Sequence, residues 1–123
     1  MDSAVVRDVP EDLMQFISTI VCSYTGWDIL TFFYDTRGTV KADAEEVAAS
    51  IGREIKDVSP LLDAMKQQAV LAATVKDEKT VYATHAGGTW RQLINKFIEF
   101  TGERQGRLQT IYILTELRFK KSE

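Results

Sequence analysis

Apolar positions change their period several times along the chain, and each change marks an element. Leu13, Phe16, Ile17, Ile20, Val21 and Tyr24 recur at i, i+3, i+4, i+7, the spacing of one buried helix face. Pro10 suits a first helical position, and Glu11 and Asp12 complement the N-terminal dipole. A helix over 10–24 is therefore predicted, after a loose polar lead, Met1 to Val9. Thr25-Gly26 interrupts the pattern, and Thr25 with Asp28 has the spacing of a capping box. Trp27, Leu30, Phe33 and Tyr34 form the face of the next helix, which Asp35-Thr36-Arg37-Gly38 ends. The dense aromatics from Tyr24 to Tyr34 read better as core than as a ligand pocket.

The stretch from Asp43 to Leu71 organises the rest. Asp43 and Glu46 have D-x-x-E spacing, in which each side chain satisfies the other end's orphan backbone N–H. Val47, Ala48 and Ile51 follow at helical spacing, and Gly52 stands where a left-handed residue would stop the helix. Val58, Leu61, Leu62, Met65 and Ala69 mark a second buried stripe. Ser59-Pro60 offers cap and first-turn chemistry, so this helix begins there, or Pro60 lies in the first turn of one that starts earlier. Ala72 to Val75 and Thr80 to Ala83 are extended runs around the charged Lys76-Asp77-Glu78-Lys79, a hairpin.

Beyond the link His85-Ala86-Gly87-Gly88-Thr89, Thr89 can cap a helix from Trp90 whose stripe is Leu93, Ile94, Phe97 and Ile98. Thr101 to Arg107 is polar, and apolar spacing resumes at Leu108, Ile111, Tyr112, Leu114 and Leu117. One kinked helix and two helices broken at Gly102 both fit, because a helical glycine costs only about 1 kcal/mol. Two pieces with a kink or break is the preferred reading. The Gly102/Gly106 spacing matches a close-packing motif.

The order helix, helix, turn, helix, hairpin resembles the winged helix-turn-helix domain of many bacterial transcriptional regulators. The likeness covers residues 26–84 and is carried by AEEVAASIG and VSPLLDAMKQQAVL. It implies a mainly α fold with a small β wing, flanked by N-terminal and C-terminal helices, and a short strand at Thr39-Val40-Lys41 pairing with the wing. It also implies dimerisation through flanking helices, which would set two recognition helices on a pseudo-palindromic site. A homodimer through the C-terminal region 89–120, using Leu93, Phe97, Leu108, Ile111 and Tyr112 with help from the N-terminal helix, is the expectation. A monomer whose flanking helices fold back on their own core is the alternative.

Length adds one bound: 123 residues suit a single domain over 1–123. Chemistry adds mostly exclusions. With one cysteine (Cys22) and one histidine (His85), no internal disulfide and no Cys/His metal site is expected. Cys22 reads as a small core residue and His85 as a loop residue. Without paired carboxylates in a recognisable setting, a nucleophile with its base, or a glycine-rich phosphate loop, neither an enzyme nor a cofactor is expected. The N-terminus lacks a signal-peptide pattern and no apolar run reaches membrane-spanning length, so a cytoplasmic protein without membrane contact is expected.

Charge cuts against the function that the resemblance suggests. The net charge is −3, and between Asp43 and Leu71 six acids face three bases, which a phosphate backbone would repel. Arg53, Lys56, Ser59, Lys66, Lys76 and Lys79 are the candidate contacts to double-stranded DNA. From Arg91 onward bases exceed acids, which suits a solvated helix face, a phosphate surface or a dock for an acidic partner. Two functions stay open: a dimeric DNA-binding transcriptional regulator, and a winged-helix module that binds another protein and not DNA.

Overall fold

In the computed structural model, which describes residues 9–35, 40–85, 88 and 90–122, the chain is mostly helical with one small three-stranded antiparallel sheet. Helix α1 (Glu11–Phe16) runs into a π-helical turn (Ile17–Val21), followed by α2 (Tyr24–Tyr34) and β1 (Lys41–Asp43). Helices α3 (Ala44–Ile51) and α4 (Ile55–Gln67) lead to strands β2 (Leu71–Lys76) and β3 (Lys79–Thr84). Helices α5 (Arg91–Thr101) and α6 (Arg104–Ser122) complete the order. The expected lead over residues 1–8, the helix end at 36–38, and Thr39, Ala86, Gly87 and Thr89 lie outside the described residues.

The first corner falls earlier than the pattern suggests. Cys22 takes a left-handed φ of 65°, and the Oγ of Ser23 accepts the Gly26 N–H at 3.0 Å. Ser23, not Thr25, is thus the cap, and Tyr24 opens α2 instead of closing the helix before it. Gly26 is no breaker. It sits inside α2 where a Cβ would lie 1.9 Å from the Val21 carbonyl oxygen, so the corner admits no side chain there. No single helix among the described residues is long and apolar enough to cross a membrane. The first helical segment and α2 have that length only together; they are bent by 102° and send Leu13, Phe16, Ile17, Ile29, Leu30 and Phe33 into the core.

Local chemistry then sets α3 and its exit. The Asp43 side chain accepts from Glu46 N–H and the Glu46 side chain from Asp43 N–H, at 2.9 and 3.0 Å, closing the capping box. Gly52 has φ 71°, and Arg53 N–H returns to the Ala48 carbonyl. Helix α4 starts at Ile55, with Glu54 as its cap, so Ser59 and Pro60 lie in its second turn and neither expected start holds. The bond that Pro60 cannot donate would have gone to the carbonyl of Lys56, and both residues lie on the exposed side of the helix. At the other end Ala69 is exposed with φ 63°, not a stripe residue. It closes a Schellman turn in which Val70 N–H bonds Met65 O and Ala69 N–H bonds Lys66 O.

Strand order is β1-β3-β2, with Tyr82 of the central strand flanked by Ala42 and Ala73. The first strand is displaced from the expected 39–41 to Lys41–Asp43. The hairpin loop is Asp77-Glu78 alone, both with positive φ (52° and 67°), as a type I′ turn requires. Buried Thr84 locks the sheet to α2: its Oγ1 donates to the Phe33 carbonyl and accepts from Val40 N–H. Tyr34 does the same one residue on, donating to the Val70 carbonyl and accepting from His85 N–H.

The C-terminal region is two helices. Gly106 explains their tight corner, since a Cβ there would lie 1.8 Å from the Phe100 carbonyl oxygen. Arg107 donates to the Thr101 and Gly102 carbonyls, closing the end of α5. Buried side chains from all these elements form one cluster, with Phe16, Trp27 and Phe97 rings stacked edge to face or tilted within it.

Candidate nucleic-acid interface

The surface to weigh consists of the turn Gly52–Glu54, the outer side of α4, and the β2–β3 hairpin. Helix α4 buries Val58, Leu62 and Met65 and turns a polar side outward. Three of the six candidate DNA contacts are engaged with acids. Arg53 Nε meets Asp28 Oδ2 at 2.9 Å, and Lys56 meets its neighbour Glu54 at 3.5 Å. Lys79 meets Glu45 at 3.4 Å and Asp43 at 3.8 Å. Lys66, in the last turn of α4, and Lys76, at the end of β2, are exposed and make no ion pair among the described residues. Ser59 is half-buried.

Between the start of α3, α4 and β3 lies an open groove of about 300 Å³. It brings Ser59 and Lys79 together with Asp43, Glu45, Asp63 and the exposed Ile55. Sequence reasoning missed one pair in its lining: the Tyr82 hydroxyl donates to Asp63 Oδ1 at 2.5 Å. Burial first, then the bond to Asp63 and its negative charge, push the Tyr82 phenol up to about 12. No local signal marks this pair, because it depends on where β3 lies against α4. Lys76 and Lys79 face each other across the hairpin, at one end of the candidate surface; Lys66 stands at the far end of α4.

Apart from the Asp43 carboxylate, the groups in these ion pairs are exposed, and such pairs are worth about 0–1 kcal/mol. A phosphate can therefore displace Glu54 or Glu45 from its lysine. The displaced carboxylates stay beside it, so the acids, more than the pairing, oppose a polyanion.

Three of the basic C-terminal residues are engaged with the fold. Arg91 lies over the Tyr34 ring at 5.4 Å, Lys96 pairs with Asp12 of α1 at 3.1 Å, and Arg107 closes α5.

The candidate dimer residues separate. Phe97 is 0% exposed and belongs to the protomer's own core, so it is removed from any interface. Leu93 is half-buried against that core. Leu108 and Ile111 are 48% and 41% exposed, and Phe119, which sequence reasoning passed over, is 66% exposed. With half-buried Tyr112 they form one stripe on α6, opposite the face that buries Gly106, Thr110, Ile113 and Leu114. The spacing 108, 111, 112, 119 was a legible signal.

Among the described residues, no three His, Cys, Asp or Glu side chains are arranged to hold a metal ion. Comparisons with protein-family models, curated proteins and solved structures find no match to this chain.

Proposed function

We propose that this chain is a winged helix-turn-helix protein and acts as a dimeric, cytoplasmic, DNA-binding transcriptional regulator. The observation that carries the reading is the element order with its strand order: helix, strand, helix, helix, hairpin, with β1 on the free side of β3. That order leaves α4 with an exposed polar side next to a projecting hairpin, the two parts a winged helix lays on DNA. Lys66 and Lys76 are its principal phosphate contacts, with Arg53, Lys56 and Lys79 recruited from their acidic partners and Ser59 beside them. The apolar stripe of α6 is the dimer surface, since a second copy covers it by twofold symmetry without a new partner chemistry.

A second reading is favoured by one specific observation. The acids Asp43, Glu45 and Asp63 line the groove beside α4, where phosphates would come. A winged-helix module that binds protein there would need no DNA contact. One experiment separates the two: binding to random-sequence duplex DNA across a salt series, with Lys66→Ala/Lys76→Ala as the paired variant. The regulator reading expects affinity that falls steeply with salt and a shallower salt slope in the variant, by roughly one to two released ions. Absence of binding at low salt, or an unchanged slope, supports the protein-binding module instead.

A further inference from the structure

The groove beside α4 holds more negative charge than the fold uses. Three carboxylates, Asp43, Glu45 and Asp63, line it with a single cation, Lys79. The fold fixes two of these carboxylates through one oxygen each. Asp43 Oδ1 accepts the Glu46 N–H, and Asp63 Oδ1 accepts the Tyr82 hydroxyl. Their Oδ2 atoms accept no hydrogen bond among the described residues. Lys79 does not close them off. Its ammonium stands 3.8 Å from Asp43 Oδ2 and 3.4 Å from Glu45 Oε1, outside the roughly 2.7–2.9 Å of a tight charge-assisted bond.

The same groove has an apolar side. Ile55, the first residue of α4, is 45% exposed and lines it together with Ala44. An exposed isoleucine alone calls for no partner. Here it shares an open groove with an excess of carboxylates, and charge complementarity sets the sign of what covers both. We propose that the groove docks a basic segment of a partner protein, with a lysine or arginine between Asp43 and Asp63 and a neighbouring apolar side chain on Ile55. A peptide segment brings the two chemistries side by side, and it covers an open groove that a small ligand, which needs enclosure, would leave mostly wet. In placing a protein here the inference rests on the protein-binding reading above, and it adds that partner's chemistry.

Fluorescence anisotropy of a labelled, end-capped Lys-Leu-Lys-Leu-Lys peptide, titrated with the full chain without DNA, tests the groove. Saturable binding is expected, and it should be roughly tenfold weaker in Glu45→Gln/Asp63→Asn and in Ile55→Ser. The asparagine keeps an oxygen for the Tyr82 hydroxyl, and thermal unfolding that matches the parent shows each variant folded. Glu11→Gln/Glu99→Gln removes two exposed carboxylates outside the groove and should bind as the parent does. An equal loss in that control pair shows attraction by net charge alone and overturns the groove, as does parent-like affinity in the groove variants. A Lys-Ser-Lys-Ser-Lys peptide binding as tightly overturns the contact with Ile55, and spermine binding as tightly overturns the protein partner. No saturable binding of the leucine peptide overturns the basic partner. The protein-binding reading stands or falls separately, by the salt series with duplex DNA.

Discussion

Helices α4 and α6 are built alike on their inner sides and differently on their outer sides. Each sends one apolar face into the same core: Val58, Leu62 and Met65 from α4, Ile113 and Leu114 from α6. Outward, α4 presents Lys56, Asp57, Asp63, Lys66 and Gln67, all exposed and polar. Outward, α6 presents Leu108, Ile111 and Phe119 beside exposed polar residues such as Gln105 and Glu116. A polar outer face is complete in water and waits for a charged or polar partner; an apolar one remains a cost until something covers it. The difference assigns α4 to recognition and α6 to assembly within the proposed reading.

The comparison is broken most forcefully at Phe97. Phe97→Ala removes a ring wholly enclosed by the protomer's core, at a cost of about 3–5 kcal/mol, a large part of a small domain's stability. Denaturant unfolding should show that loss at any protein concentration. On the outer face, Leu108→Ser/Ile111→Ser should leave protomer stability within about 0.5 kcal/mol and abolish the dimer in sedimentation. A double variant that sediments as the parent does would leave α6 without its assigned role.

Gly106→Ala is next. The new Cβ would meet the Phe100 carbonyl oxygen at 1.8 Å, so the α5–α6 corner must open, with an expected loss of about 3 kcal/mol. Since α6 pivots on that corner, its outer stripe should be displaced too, and dimerisation should weaken beyond what protomer stability explains. Gly52→Ala makes the contrast on the α4 side: nothing lies within 4 Å of its Cβ, and only the left-handed backbone resists, at about 1 kcal/mol.

These contrasts also mark how far the sequence reaches. The Asp43 cap, the Gly52 stop and the stripes of α2, α3 and α5 were legible because capping and periodicity are local. The break at Cys22 was not: a left-handed cysteine carries no signal, while Thr25-Gly26 beside it offers a misleading one. Pro60 pointed to a late start for α4 because proline's cost was assessed without knowing that it lies on the exposed side of the helix. Phe97 and Ile111 sit on equally regular apolar stripes, and period alone does not distinguish a chain's own core from a surface. The candidate contacts Arg53 and Lys79 were visible as charges. Their partners Asp28, Asp43 and Glu45 were not assignable, because those pairs close through tertiary structure.

A smaller effect probes the groove beside α4. The Tyr82 phenol titrates at about 12 in the fold, raised from 10.0, and burial also raises Tyr34. A folded pKa raised above the unfolded one favours the fold while the group keeps its proton. That stability is whole below pH 10 and is lost as pH climbs toward 12. Tyr82→Phe should cost about 1 kcal/mol at neutral pH through the lost bond to Asp63 and should flatten the decline of stability between those pH values. An alkaline profile as steep as the parent's would show that another group governs it.

The smallest effects are gains, and they concern the edges of the recognition region. Ala69, Asp77 and Glu78 all hold positive φ without being glycine, where an L-residue's Cβ crowds the backbone. Ala69→Gly relieves the Schellman turn that ends α4. Asp77→Asn/Glu78→Gly installs the residue pair that a type I′ turn prefers. Glycine also frees the unfolded chain, which offsets part of each benefit, so each change should raise stability by about 0.5–1 kcal/mol. The hairpin change removes two acids from between Lys76 and Lys79 as well. In the regulator reading it should therefore increase DNA affinity most at low salt, while Ala69→Gly, equally stabilising and charge-neutral, should not. If both variants shift DNA affinity equally, rigidity and not charge limits the α4 surface, and the electrostatic contrast with α6 loses its force.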